Sequence, residues 1–186
     1  MAAKERYNEE EIAAQLQDPN LCRDAFSRVI EHYTQPLYWQ IRRMVLNHDD
    51  TNDLLQNTFI KAWTNIENFR GEAKLYTWLY KIAINEAITF INKEKARASL
   101  SIDEQAAAVA NSLEADPWFD GNELQRRLQQ AIATLPEKQR IVFNMRYFDE
   151  MKYEQMSEIL GTSVGALKAS FHHAVRKVEQ FLSALD

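Results

Sequence analysis

Glycine and proline are scarce in this chain, four of each among 186 residues, where average usage would give roughly three times as many. An all-β sandwich or barrel needs turn residues every ~8–12 positions, so that architecture is excluded. Gly71, Gly121, Gly161 and Gly165 lie too far apart to form a phosphate-cradling loop. Cysteine occurs once, at Cys22, which rules out a disulfide framework and any thiolate zinc site. No apolar run approaches the ~18–20 residues of a membrane span, and residues 1–20 are polar and acidic, unlike a signal peptide. The expected compartment is the cytoplasm, with no membrane insertion. Disorder throughout is excluded too, because 46% hydrophobic content with 11% aromatics can build a core. What remains is an all-α protein with few interruptions.

Acidic residues outnumber basic ones by 27 to 22, a net charge of −5, which taken whole argues against nucleic acid. The imbalance is local. Residues 1–97 hold 13 cations and 14 anions, and residues 123–186 hold 9 and 8, whereas 98–122 hold five anions and no cation. Between residues 69 and 97, Arg70, Lys74, Lys81, Lys93, Lys95 and Arg97 are set against only Glu72, Glu86 and Glu94. Screening over ~8 Å at physiological salt lets such a patch act apart from distant acids. The acidic stretch, with turn signals at Asp116-Pro117 and Gly121, reads as a linker. The predicted organisation is an N-terminal polar segment (1–19), a helical domain (20–97), an acidic linker (98–122) and a second helical domain (123–186). This makes two small bundles on a tether.

In the first domain, helical periodicity is clearest from Thr51 to Ile66, where Leu55, Phe59, Ala62, Trp63 and Ile66 share one face. The opposite face shows Asp53, Gln56, Asn57 and Lys61. After a turn at residues 68–72, a second helix is predicted from Leu75 to about Arg97. Lys74, Lys81, Asn85, Thr89 and Asn92 form a stripe along it, with Lys93, Lys95 and Arg97 at its end. Rings stack on unpaired bases and cations neutralise phosphates, so aromatics beside cations and amides suit single-stranded nucleic acid. The same residues also fit a plain structural role, as core aromatics with terminal lysines complementing the helix dipole. Trp78 is assigned to the core.

In the second domain, a helix starts at Pro136 and runs to about Phe148, with proline in the opening turn where a missing N–H costs nothing. A short amphipathic helix follows from Tyr153 to Leu160. Gly161-Thr162-Ser163 then makes a tight turn with Ser163 as N-cap, and a last helix runs from Val164 towards Leu182. Short helix, glycine turn and longer helix form a helix-turn-helix signature, whose second helix reads the major groove. Its exposed candidates are Gly165, Ala166, Lys168, Ala169, Ser170, His172, His173, Arg176 and Lys177. Adjacent histidines diverge by about 100° on a helix and do not share a metal as an i, i+4 pair would. No catalytic constellation, cofactor motif or metal-ligand spacing occurs, so no enzyme is expected. The residues alone leave open a helix-turn-helix regulator with a helical sensor domain and a helical adaptor without DNA contact.

The order Asp53-Leu54-Leu55-Gln56-Asn57-Thr58-Phe59-Ile60-Lys61-Ala62-Trp63, then Phe69-Arg70-Gly71, then Thr77-Trp78-Leu79-Tyr80-Lys81-Ile82-Ala83-Ile84-Asn85 resembles region 2 of bacterial extracytoplasmic-function (ECF) sigma factors. Leu135-Pro136-Glu137-Lys138-Gln139-Arg140 and the run from Tyr153 to Gly165 resemble their region 4. The resemblance implies a protein that directs promoter-specific transcription initiation. Its partners would be core RNA polymerase, through the β′ clamp and β flap, and promoter DNA, with an inhibitory anti-sigma factor left open. Asp53, Gln56 and Asn57 would grip the β′ clamp, although the family more often has Glu at the third position. The −10 element would meet Phe69, Arg70, Lys74, Lys81, Asn85, Thr89, Asn92 and Lys93, with Phe69, Lys74 and Asn85 lining a pocket for an unpaired base. The −35 element would meet Ser163, Gly165, Ala166, Lys168, Ala169, Ser170, His172, His173 and Arg176. Where the family often reads Lys-Ser-Arg-Leu-His-Arg-Ala-Arg, this chain has Lys168-Ala169-Ser170-Phe171-His172-His173-Ala174-Val175. Three arginines are missing, so the isolated chain is expected to bind duplex DNA weakly.

Overall fold

The computed structural model describes residues 7–71, 73–95 and 121–184. Among them the regular structure is helical throughout. The first half holds α1 (Glu9–Gln15), α2 (Cys22–Val45), α3 (His48–Thr64), a 3-10 turn (Ile66–Asn68) and α4 (Leu75–Lys95). The second half holds α5 (Glu123–Ala133), α6 (Glu137–Tyr147), α7 (Tyr153–Leu160) and α8 (Val164–Ser183).

The N-terminal segment is more than a polar tail. Asn8 Oδ1 accepts hydrogen bonds from the Glu10 and Glu11 N–H groups at 3.1 and 3.3 Å, and three glutamates sit at the positive end of the α1 dipole. Ile12 and Leu16 are buried against α2 and its neighbours. The Tyr33 hydroxyl donates to Glu9 at 3.1 Å, and Gln17 donates to the Phe69 carbonyl. α1 therefore braces the loop that enters α4.

α2 buries Val29, Tyr33, Leu37, Ile41 and Met44 at steps of three and four. It ends at Leu46, whose left-handed φ of 65° turns the chain sharply. Asn47 then caps α3 by accepting from the Asp50 N–H at 3.0 Å. α2, α3 and α4 pack on one another around an aliphatic and aromatic core. Leu55, Phe59 and Ala62 are buried as their spacing predicts. Trp63 is not: it is 44% exposed, resting on Phe26 with ring centroids 5.0 Å apart.

The second half opens on a capping box. The Asn122 side chain accepts from the Gln125 N–H, and the Gln125 side chain accepts from the Asn122 N–H. Helix α5 thus starts just past the stretch read as linker, of which residues 98–120 lie outside the described residues. Pro136 stands at the N-cap of α6, one residue earlier than predicted. Ala131, Ile132, Leu135, Phe143, Ala174 and Val178 form a small core between α5, α6 and α8.

The halves are not separate beads. Met44, Ile84, Ala87 and Ile91 from the first half share one buried cluster with Ile141, Val142, Met145, Met151, Met156 and Leu167 from the second.

Candidate polymerase and nucleic-acid interface

The cation and amide stripe lies in solvent. Lys74, Lys81, Asn85, Thr89, Asn92 and Lys93 are exposed along α4, as is Arg70 before it. The Thr89 hydroxyl donates back to the Asn85 carbonyl at 2.8 Å, which fixes its oxygen in position to accept from a ligand. Lys95 and Arg97 fall outside what the structure describes for side chains.

Beside this stripe, between the 3-10 turn and α4, opens a cavity of about 340 Å³ lined by Lys61, Asn65, Asn68, Trp78, Asn85 and Glu86. Lys61 pairs with Glu86 at its rim. The Asn65 amide donates to the Lys61 carbonyl at 2.8 Å, closing the end of α3. The mouth thus combines one ring, three amides and one ion pair, groups able to stack on a planar base and to hydrogen-bond its edges.

The lining of this cavity differs from the pocket of Phe69, Lys74 and Asn85 that was expected. Phe69 is only 3% exposed, turned into the core against Trp78 at 5.2 Å between centroids. Its carbonyl is held by Gln17 from the other side, so it supports the wall instead of facing a ligand. Lys74 is exposed but does not line the cavity. Trp78, assigned to the core, is half-buried and presents a flank to the cavity. Asn65 and Asn68 were missed. Trp78 stands seven residues before Asn85, two helical turns away on the same face, and that spacing was the available signal.

On α3, Asp53, Gln56 and Asn57 are exposed and adjacent at helical spacing. Ile60, 61% exposed, and Trp63 extend the same surface. Sequence periodicity placed Trp63 on the buried face, whereas Ile60 lies off the face defined by Leu55, Phe59 and Ala62. At the start of α3, partial burial raises the Asp50 carboxyl above its ordinary range, with Glu94, Asp53 and Asp49 adding to the effect.

The helix-turn-helix forms as its punctuation predicts. Gly161 adopts φ 62°, a left-handed geometry that favours glycine, and its N–H donates to the Ser157 carbonyl at 2.9 Å. Ser163 caps α8 by accepting from the Ala166 N–H at 3.3 Å. Leu167, Ala174 and Val178 anchor the inner face. Ser163, Gly165, Ala166, Lys168, Ala169, His172, His173 and Arg176 are exposed, and Ser170 is partly buried.

Comparison with known proteins decides the family. The model for sigma-70 region 2 matches residues 29–97, and that for sigma-70 region 4 matches residues 125–178. The ECF RNA polymerase sigma factor SigW of Bacillus subtilis is 33% identical over 165 residues, covering 83% of this chain and 88% of that protein. The chain belongs to the ECF sigma factors.

A second relative of this sigma factor, the ECF RNA polymerase sigma-E factor of Haemophilus influenzae, is 29% identical over 169 residues, covering 87% of this chain and 89% of that one. The fold is also shared with two solved structures. One is the sigma factor RpoE in complex with the anti-sigma factor NepR from Bartonella quintana, with TM-score 0.67, 20% identity, and 85% and 96% of the two chains covered. The other is CnrH in complex with the cytosolic domain of CnrY, with TM-score 0.66, 21% identity, and 95% and 97% covered. This sigma factor binds core RNA polymerase and promoter DNA and directs transcription initiation. The region 2 match contains the cavity and the exposed α3 face; the region 4 match contains the helix-turn-helix.

Proposed function

We propose that this sigma factor divides its work among three surfaces carried by two functional units, residues 20–97 and 123–186. The exposed α3 face (Asp53, Gln56 and Asn57, with Ile60 and Trp63) docks on the β′ clamp of the polymerase. Its apolar pair supplies buried area and its polar triad supplies register. The cavity beside Trp78 takes one base from the melted −10 strand, while Arg70, Lys81, Asn92 and Lys93 follow the phosphates. α8 enters the major groove at the −35 element.

The observation that carries this reading is the open cavity walled by Trp78, Asn65, Asn68 and Asn85, next to an exposed cation and amide stripe. Extruding a base costs a few kcal/mol, and stacking on one ring returns about 1–3 kcal/mol. A ring, amide donors and nearby cations are therefore what strand melting requires. The chain does no chemistry itself and works in the cytoplasm. α8 offers only Lys168, Arg176 and Lys177 as exposed cations, so duplex binding depends on polymerase holding it in place. An anti-sigma factor is a further expected partner, since the solved neighbour RpoE of Bartonella quintana is in complex with one.

The test is Asn85→Ala in reconstituted holoenzyme. Open-complex formation, followed by the fluorescence of a 2-aminopurine placed in the −10 strand, should fall about tenfold. Affinity for core polymerase should stay unchanged; equal loss of both would overturn the assignment.

A further inference from the structure

α4 begins without a local cap. Ala73 and Lys74, the two residues before it, carry no side-chain acceptor, and its first turn holds no acid. The first N–H groups of a helix have no partner within it, and a neighbouring Ser, Thr, Asp or Asn usually accepts from one of them. Here the acceptor comes from 67 residues away in the chain: Glu9 Oε1 of α1 accepts from the Tyr76 N–H at 3.4 Å. Its charge sits at the positive end of the α4 dipole. The other oxygen, Oε2, accepts from the hydroxyl of the buried Tyr33 at 3.1 Å. Just ahead, the Tyr7 ring stacks on His32 of α2 with centroids 3.7 Å apart. The carboxylate is therefore fixed from two sides.

The same N-terminal segment holds the other end of the loop. Gln17, just past α1, donates its amide to the Phe69 carbonyl, 52 residues on. Phe69 lays its ring against Trp78 at 5.2 Å, and Trp78 lines the cavity with Asn65, Asn68 and Asn85. Two contacts thus tie the N-terminal segment to the cavity wall, at Phe69 and at Tyr76, with Arg70 and Lys74 exposed between them. Ile12 and Leu16, buried in the core, seat the segment that carries both groups. Extruding a base from a duplex is costly, and ordering a loop at the same moment would add to that cost. A loop held at both ends before the strand arrives adds nothing. Glu9 and Gln17 both lie ahead of the stretch matched to sigma-70 region 2.

On the reading that the cavity takes a −10 base, we propose that Glu9 and Gln17 are positioning residues for promoter melting. They clip the loop at both ends, so that Arg70 and the Trp78 wall meet the melted strand already ordered.

The test uses holoenzyme reconstituted with the full-length chain, and a single-stranded oligonucleotide carrying the −10 element of a promoter that it opens. Gln17 is exposed and Glu9 half-buried, so substitution at either leaves no void in the core. Glu9→Ala and Gln17→Ala should each weaken oligonucleotide binding about fivefold, the scale of a lost helix cap, with affinity for core polymerase unchanged. Glu9→Gln keeps an oxygen for the Tyr76 N–H and should recover most of the loss. Gln17→Glu is the same size but at neutral pH has no donor for the Phe69 carbonyl, so it should bind as poorly as Gln17→Ala. Contacts that only stabilise the fold would leave both affinities of the folded holoenzyme as they are. Wild-type oligonucleotide affinity in Glu9→Ala and Gln17→Glu, with Trp78→Ala impaired, would overturn the clip and leave the base pocket standing. Normal binding by Trp78→Ala as well would overturn the pocket along with it. Loss of polymerase affinity in step with oligonucleotide affinity would also overturn the clip.

Discussion

The two halves solve the problem of a core differently. The first wraps α1, α2, α3 and α4 around a continuous cluster that includes Ile12, Val29, Leu37, Ile41, Leu55 and Leu79. The second keeps a smaller cluster of its own and commits Ile141, Val142, Met145, Met151, Met156 and Leu167 to the seam with the first. One half is largely self-contained and carries the cavity beside Trp78. The other depends on its neighbour, against which it buries the methionine-rich face of Met145, Met151 and Met156. Methionine adapts to different surroundings better than other apolar residues do, which suits a face that packs on another unit.

The sharpest way to break this comparison is to cut into each core. Leu79→Ala, at a fully buried site in the first half, should destabilise the chain by about 2–5 kcal/mol, read from urea unfolding followed by tryptophan fluorescence. Met145→Ala, equally buried but on the seam, should fall at the lower end of that range. If Met145→Ala proved the costlier, the second half would be the self-contained one.

Acidity probes the seam next. Asp149 faces Arg43, Gln40, Tyr76 and Tyr80. Burial, opposed by the Arg43 charge and the Gln40 hydrogen bond, lifts its carboxyl from 3.8 to about 7. The folded chain therefore favours the neutral acid. Its contribution is complete below about pH 4 and declines as pH rises to about 7, by at most about 1.4 kcal/mol per unit for one proton. Between pH 5.5 and 8 the urea midpoint should fall from this group's contribution, and Asp149→Asn should abolish that part of the pH dependence.

The cavity is tested by Trp78→Ala. Loss of the stacking surface should cost the open complex about 1–3 kcal/mol, measured as its dissociation rate on heparin challenge, with clamp affinity intact. Asn65→Ala and Asn68→Ala should alter the preferred −10 base more than they alter complex lifetime.

Punctuation in the sequence was legible; partnership was not. Gly161 and Ser163 mark the turn and cap, and α7 runs from Tyr153 to Leu160 as predicted. The α4 stripe is exposed where its spacing puts it. Periodicity identifies an apolar face but not what will cover it, so nothing in the sequence marks Ile84, Ile91 and Met145 as residues that meet across the seam. Trp63 lies at the edge of its helix face, where a shift of one side chain decides between core and surface. Phe69 sits in a loop, without periodicity, and its burial depends on Gln17 and Trp78 reaching it from distant elements. α1 was hidden by its charge, although Asn8 followed by Glu11 is a capping pattern.

The smallest expected effect lies at the head of α8. Ser163 accepts the Ala166 N–H and holds the first turn, where Gly165 and Ala166 leave no long side chain to compensate. Ser163→Ala should cost about 1 kcal/mol of stability, seen as a modest fall in the unfolding midpoint. The same change frays the turn proposed to approach the −35 bases, so initiation should drop more on a promoter with that element intact than on one with it replaced by unrelated sequence. A uniform loss on both would mean that the cap serves stability alone. The contrast between a half proposed to capture bases with a built cavity and a half proposed to read them with a lightly charged helix would then lose its functional side.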